Sequence, residues 1–263
     1  MANRQTGANR PTKAERKEQA RIEREQIQRQ MSARKRNRKI GTALLAITVV
    51  VAVIAAFLLR GPGSPKAADV LAQAANAHKA AGCTAIQTTT NYNNALGPDP
   101  AIDHLHIGQP GAPASPPALT TYASVPPASG PHNSTPATAG VYSSPPDIYQ
   151  AIHSMEHAAA IVWYAPSAAN TDAVKQIRAF YGQLATKTNV GQAKVIVSPY
   201  DYPTQGVGGA LPANVQMALV AWHKLEMCAR PSLAAAFGFT SQYSNAYPGG
   251  SYKGVAREPN GAM

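Results

Sequence analysis

One uninterrupted apolar run dominates the hydrophobic pattern. Residues 40–59, IGTALLAITVVVAVIAAFLL, carry no charge, and Thr42 and Thr48 are their only polar side chains. At about 1.5 Å per residue, a helix of that length spans roughly 30 Å, the thickness of a bilayer's hydrocarbon. RKRNRK (residues 34–39) precedes the run, and a single Arg60 followed by GPGSP comes after it. The positive-inside rule then predicts a single-pass protein of the cell membrane, with its N-terminus cytoplasmic and its C-terminal domain extracytoplasmic. A cleaved secretory signal is the rival. Such signals carry apolar cores of about 7–15 residues behind short basic segments. The long basic lead and the longer core here favour a retained anchor.

Beyond the run the periodicity changes. AADVLAQAANAHKAAG (residues 67–82) has no internal breaker and predicts a helix ending at Gly82. His78 within it reads as an exposed helical residue. Residues 97–146 are dense in proline and glycine, which excludes long helices and central strands. Tyr122, Val125, His132, Val141 and Tyr142 offer anchoring points, so order is expected over 120–146 and a looser course over 108–119. SSPPDIYQAIHSMEH starts a helix, with Ser144 as candidate N-cap, Pro145 at the first helical position and Asp147 in the first turn. AAAIVWYAP reads as a buried strand and AKVIVSPY as a second. Between them Val174, Ile177, Phe180, Tyr181 and Leu184 have the spacing of an amphipathic helix, capped by Asn170 or Thr171. VQMALVAWHKLEM reads as a third strand and SLAAAFGFTSQYS as a closing helix. Strand, helix, strand predicts a βαβ crossover.

The expected fold class is therefore α/β or α+β, one extracytoplasmic domain with a βαβ-type core and a Pro-rich irregular wrap. The organisation is a basic cytoplasmic tail (1–39), a transmembrane helix (40–60), a linker and helix (61–82), the extracytoplasmic domain (83–240) and a C-terminal tail (241–263).

Charge changes the picture once its distribution is counted. The net charge is +11, but residues 1–39 hold 13 Lys/Arg against 4 Asp/Glu, and the rest 11 against 9. The basicity belongs to one tail, and no nucleic-acid partner is expected of the near-neutral domain. Membrane lipid, met through residues 34–60, is the expected partner; protein partners are not specified. Cys83 and Cys228 both fall on the predicted outer side, where an even count favours a disulfide. Such a bond closes a long loop, stabilising by roughly 5 kcal/mol at most on the chain-entropy estimate. A pair of thiolate metal ligands is the alternative.

The candidate chemistry is histidine. His153 and His157 stand four apart in IHSMEH, which brings both imidazoles to one helix face. Neutral imidazole is a good ligand for zinc and copper. Further ligands must come from His132 in SGPH and from His106, or His104 in its place, in DHLHI. Glu156 is a ligand, an orienting partner or a general base. Met155 faces away and reads as core. HSMEH also fits the H-x-x-E-H pattern of inverted zinc peptidases. By itself an i,i+4 histidine pair more often binds nothing.

These residues together resemble a bacterial family, "domain of unknown function 3105". The resemblance runs from AGC (81–83) through YASVPPASGPH (122–132), GVY (140–142), IHSMEH and IVWY to VIVSPY and ALVAWHKL. It implies membrane-anchored or secreted members with this domain outside. It also implies that His132, His153, Glu156 and His157 occupy motif positions, with one of His104 and His106 matching an earlier histidine. Two departures stand out. Ala158 stands where the family has glycine after H-x-L-E-H, with Met155 at the Leu position, and His223 stands where a glycine follows A-W.

Three readings follow. The first is a metal-binding domain taking zinc or copper through His106 (or His104), His132, His153 and His157. The second is a metal-dependent hydrolase with Glu156 as base. The third is a non-catalytic envelope scaffold in which the histidines bond backbone carbonyls.

Overall fold

The computed structural model describes residues 65–187, 194–245 and 252–263. In chain order they form α1 (Ala67–Ala72), α2 (Ala74–Ala80), β1 (Gln87–Thr88), β2 (Gly140–Val141), α3 (Ile148–Glu156), β3 (Ala160–Tyr164), α4 (Asp172–Lys187), β4 (Val195–Pro199), β5 (Met217–Ala221), β6 (Lys224–Cys228) and α5 (Leu233–Tyr243). The basic tail and the transmembrane helix expected at 1–60 lie outside the described residues. Among the described residues, no helix is long and apolar enough to cross a membrane.

The strands make a six-stranded mixed sheet in the order β1-β6-β5-β3-β4-β2. Every residue of β3, β4 and β5 is buried, because both faces of the sheet are covered. Alternation sends Ala160, Val162 and Tyr164 to one face, with Val195, Val197, Met217 and Leu219. On that face they meet Val174, Ile177 and Phe180 of α4 and Phe237 and Phe239 of α5. Ile161, Trp163, Ile196, Ala218 and Val220 go to the other face, against Ile152 and Met155 of α3 and against Leu119 and Tyr122 of the Pro-rich segment. Burying one such side chain contributes roughly 1.5–3 kcal/mol.

The expected βαβ unit is present: β3 and β4 pair in parallel across α4, and β2 adds to β4 in parallel. The Pro-rich segment is an ordered wrap over its whole length. It holds only short turns of 3-10 helix and the two residues of β2. The stretch expected to be loose also bonds itself: Gly108 donates to the Pro113 carbonyl and Ala112 to that of Gln109.

Four expectations need correction. The first helix is two, with a break at Gln73, although its end at Gly82 holds, at φ +64°. Asp147, not Ser144, caps α3, its carboxylate accepting from the amides of Tyr149 and Gln150. The single strand VQMALVAWHKLEM is a hairpin, β5 and β6 antiparallel with Ala221 opposite Lys224. Its two-residue turn is Trp222–His223, and His223 takes φ +54°. That is the left-handed conformation for which glycine is favoured, the residue the family resemblance places there. Finally, His78 is not a lone exposed residue: its Nδ1 lies 2.5 Å from Glu226 Oε1.

The second departure from the family pattern has the same cause. Ala158 has φ +63°. Its amide donates to the Met155 carbonyl, and the Ala159 amide to that of Ser154. This pair of bonds closes a helix through a left-handed residue, usually glycine. Ala158 thus turns the chain straight from α3 into β3, immediately after His157. Cys83 and Cys228 lie at bonding distance, sulfur to sulfur 2.07 Å, joining residues 145 apart.

Candidate metal centre

The site forms where α3 meets the wrap. α3 presents His153, Glu156 and His157. The wrap adds histidines because its backbone pairs with itself: the Ile107 amide donates to the His132 carbonyl and the His132 amide to that of Leu105. This short parallel bridge sets His106 beside His132. The wrap then docks on α3, the Asn133 amide donating to the Tyr149 carbonyl. Gly130 is required for that course. Its φ is +116°, and a Cβ there would stand 2.8 Å from the Tyr122 ring.

The rings converge. Centroids are 4.8 Å apart for His132 and His153, 5.2 Å for His106 and His132, 5.0 Å for His106 and His153, and 4.6 Å for His153 and His157. His106, His132, His153 and Glu156 each bring one ligand-type atom within 4.8 Å of the others.

Hydrogen bonds decide which ring nitrogen faces the centre. Nδ1 of His132 lies 2.8 Å from the Gly130 carbonyl, Nδ1 of His153 2.6 Å from that of Asn133, and Nδ1 of His157 2.5 Å from that of Ala262. A carbonyl only accepts, so each Nδ1 carries a proton and Nε2 is the nitrogen turned toward the centre. Those nitrogens then crowd. Nε2 of His153 is 3.1 Å from Nε2 of His157. Nε2 of His132 is buried without a hydrogen bond, 3.1 Å from Glu156 Oε2. His106 is the exception. Its Nδ1 accepts from the Gln109 side-chain amide at 3.1 Å, so its Nε2 carries the proton.

His104 does different work. Its Nδ1 lies 2.5 Å from Glu156 Oε1 and its Nε2 2.6 Å from Asp99 Oδ1. Two carboxylates at two nitrogens require an imidazolium. Burial works to lower the pKa of His104, but its bonds to Glu156 and Asp99 outweigh it and raise the value. Burial would raise Glu156, yet His104 and His132 beside it hold its carboxyl down at about 2. His153 is brought down to about 4 by burial first and by the neighbouring His132 and His157, against the pull of the Asn133 carbonyl. Burial and His132 lower His106 as well.

Several contributors had no strong sequence signal. Glu258 stands in the segment read as a tail, with Oε2 3.2 Å from His157 Nε2. Lys194 holds that segment down, its Nζ donating to the carbonyls of His157, Pro259 and Gly261 at 2.7–2.8 Å. Asp103, fully buried, accepts from Ser129 and from the Tyr92 amide and faces His223 Nε2 at 3.3 Å. His223 therefore joins the acids behind the site and not the cluster itself.

Residues 116–256 match the family described as Protein of unknown function (DUF3105). The chain belongs to that family. No curated protein and no solved structure matched it. Within the DUF3105 span lie His132, His153, Glu156 and His157; Asp99, His104, His106 and Glu258 fall outside it.

Proposed function

We propose that this DUF3105 protein is a membrane-anchored extracytoplasmic domain that binds zinc or copper. The ligands are His132, His153 and Glu156, each with a ligand-type atom within 4.8 Å of the others, and Nε2 of His157 stands 3.1 Å from that of His153. His106 stands at the rim as an N–H donor, and His104 positions Glu156. Residues 40–59 with the basic segment before them support the anchor and its orientation.

One observation carries the metal. Two imidazoles whose Nδ1 protons both go to carbonyls face each other Nε2 to Nε2 at 3.1 Å. Lone pairs at that separation repel unless a proton or a metal cation lies between them. Tetrahedral zinc ligands at about 2.0–2.1 Å stand roughly 3.3–3.4 Å from one another. The carbonyls are the outer partners that fix the tautomer and aim of a metal-bound histidine. A pure scaffold role accounts for the Nδ1 bonds but not for the gathering of ligand-type atoms of His106, His132, His153 and Glu156 within 4.8 Å of one another.

Binding is favoured over hydrolysis by the state of Glu156. A general base works best with a pKa near the operating pH, whereas this carboxyl is held at about 2 with His104 on one oxygen.

The test is metal analysis of the untagged full chain in detergent. One equivalent of zinc or copper is expected. It is lost in His153→Ala/His157→Ala with circular dichroism unchanged. A folded wild-type chain that takes up neither metal overturns the proposal.

A further inference from the structure

A second group of ligand-type side chains lies apart from the histidine cluster. His78 of α2, Cys83 after it and Glu226 of β6 each bring a ligand atom within 4.8 Å of the others. Glu226 is the unusual member. It is 2 % exposed, its Oε1 meets His78 Nδ1 at 2.5 Å, and its Oε2 is buried with no hydrogen-bond partner. A buried carboxylate oxygen left without a partner is costly and favours a cation at that place. His78 is held in place from the far side, since a Cβ on Gly238 of α5 would come within 3.0 Å of its Nε2. The His78 side chain is 23 % exposed, which gives an ion a way in from solvent.

The sulfur decides what this group can do. As half of the Cys83–Cys228 disulfide, Cys83 has no thiolate to offer, and the thiolate is the metal-binding form. We propose that the disulfide gates a second cation site. Reduction releases Cys83, and His78, Cys83 and Glu226 then hold a zinc-class divalent ion, with Cys228 beside them supplying a second sulfur. The step balances as a thiol–disulfide exchange. A dithiol gives two electrons and two protons to the S–S bond and leaves as its own disulfide, while Cys83 and Cys228 become thiols. The ion then displaces the thiol protons and the proton shared by His78 and Glu226, which pass to solvent. Imidazole, thiolate and carboxylate together suit zinc or cobalt and not calcium or magnesium.

The test uses the full chain, reduced anaerobically with a dithiol, desalted and titrated with cobalt(II). A thiolate-to-cobalt charge-transfer band is expected in the reduced chain and not in the oxidised one. The histidine cluster contains no sulfur and cannot produce that band, so its own failure to bind leaves this result readable. His78→Ala and Glu226→Gln are each expected to weaken the cobalt affinity behind the band at least tenfold. Cys228→Ser frees Cys83 without any reductant and is expected to give the band directly. The proposal is overturned by a reduced chain that shows no band or unfolds before taking up cobalt. It is equally overturned if His78→Ala and Glu226→Gln leave the affinity unchanged.

Discussion

Acid should unfold the metal-free chain through His153 before it reaches the carboxylates. In the unfolded chain His153 titrates near 6.5; folded, burial and two neighbouring imidazoles bring it to about 4. Above 6.5 the ring is neutral in both states, and stability does not depend on it. Between 6.5 and about 4 the unfolded chain takes up a proton that the folded one refuses, so stability falls with pH. One pKa unit is about 1.4 kcal/mol, and the full gap is worth on the order of 3 kcal/mol by pH 4. Glu156, depressed to about 2, loses its contribution in the same direction, but only below the ordinary carboxylate value of about 4.5. His104 has the opposite sign. Its raised value stabilises at low pH and is lost as pH rises through it. The assay is urea unfolding from about pH 7 to about pH 4 with chelator present, followed by the fluorescence of the buried Trp163 and Trp222. His153→Gln should flatten the slope between about pH 6.5 and 4 by most of those 3 kcal/mol. A variant that keeps the full wild-type slope refutes the assignment.

Two further outcomes are expected. Lys194→Met leaves the carbonyls of His157, Pro259 and Gly261 without their buried cationic donor. It should cost about 2–4 kcal/mol in urea unfolding and speed amide exchange at Glu258 and Gly261; unchanged exchange there removes Lys194 as the anchor. Ala158→Gly trades relief of the left-handed strain against a lost buried methyl and a freer unfolded chain, a net change under about 1 kcal/mol. Ala158→Val keeps the strain and adds a β-branch at a buried position, and should lower stability by at least about 2 kcal/mol. Equal stability of the two variants contradicts the left-handed turn between α3 and β3.

Much was legible in the chain because it depends on local order. Apolar periodicity located α3, α4, α5, β3 and β4, since a 3.6-residue or two-residue repeat is imposed by backbone geometry alone. The i,i+4 spacing placed His153 and His157 on one face for the same reason, and Met155 in the core. The hairpin of β5 and β6 escaped because its left-handed turn residue is His223, with none of the glycine or asparagine that marks such turns. Asp147 took the cap because two prolines before it cannot donate the amides that a cap satisfies. The choice between His104 and His106 was not local. Bridge pairing between residues 105–107 and the SGPH stretch turns one imidazole toward the cluster and the other toward Asp99 and Glu156. His78 met Glu226, and Glu258 met His157, across sequence separations of 148 and about 100 residues. No periodicity encodes those meetings. They follow from which strands share an edge and where a lysine ties down the last segment, and only the packed structure decides them.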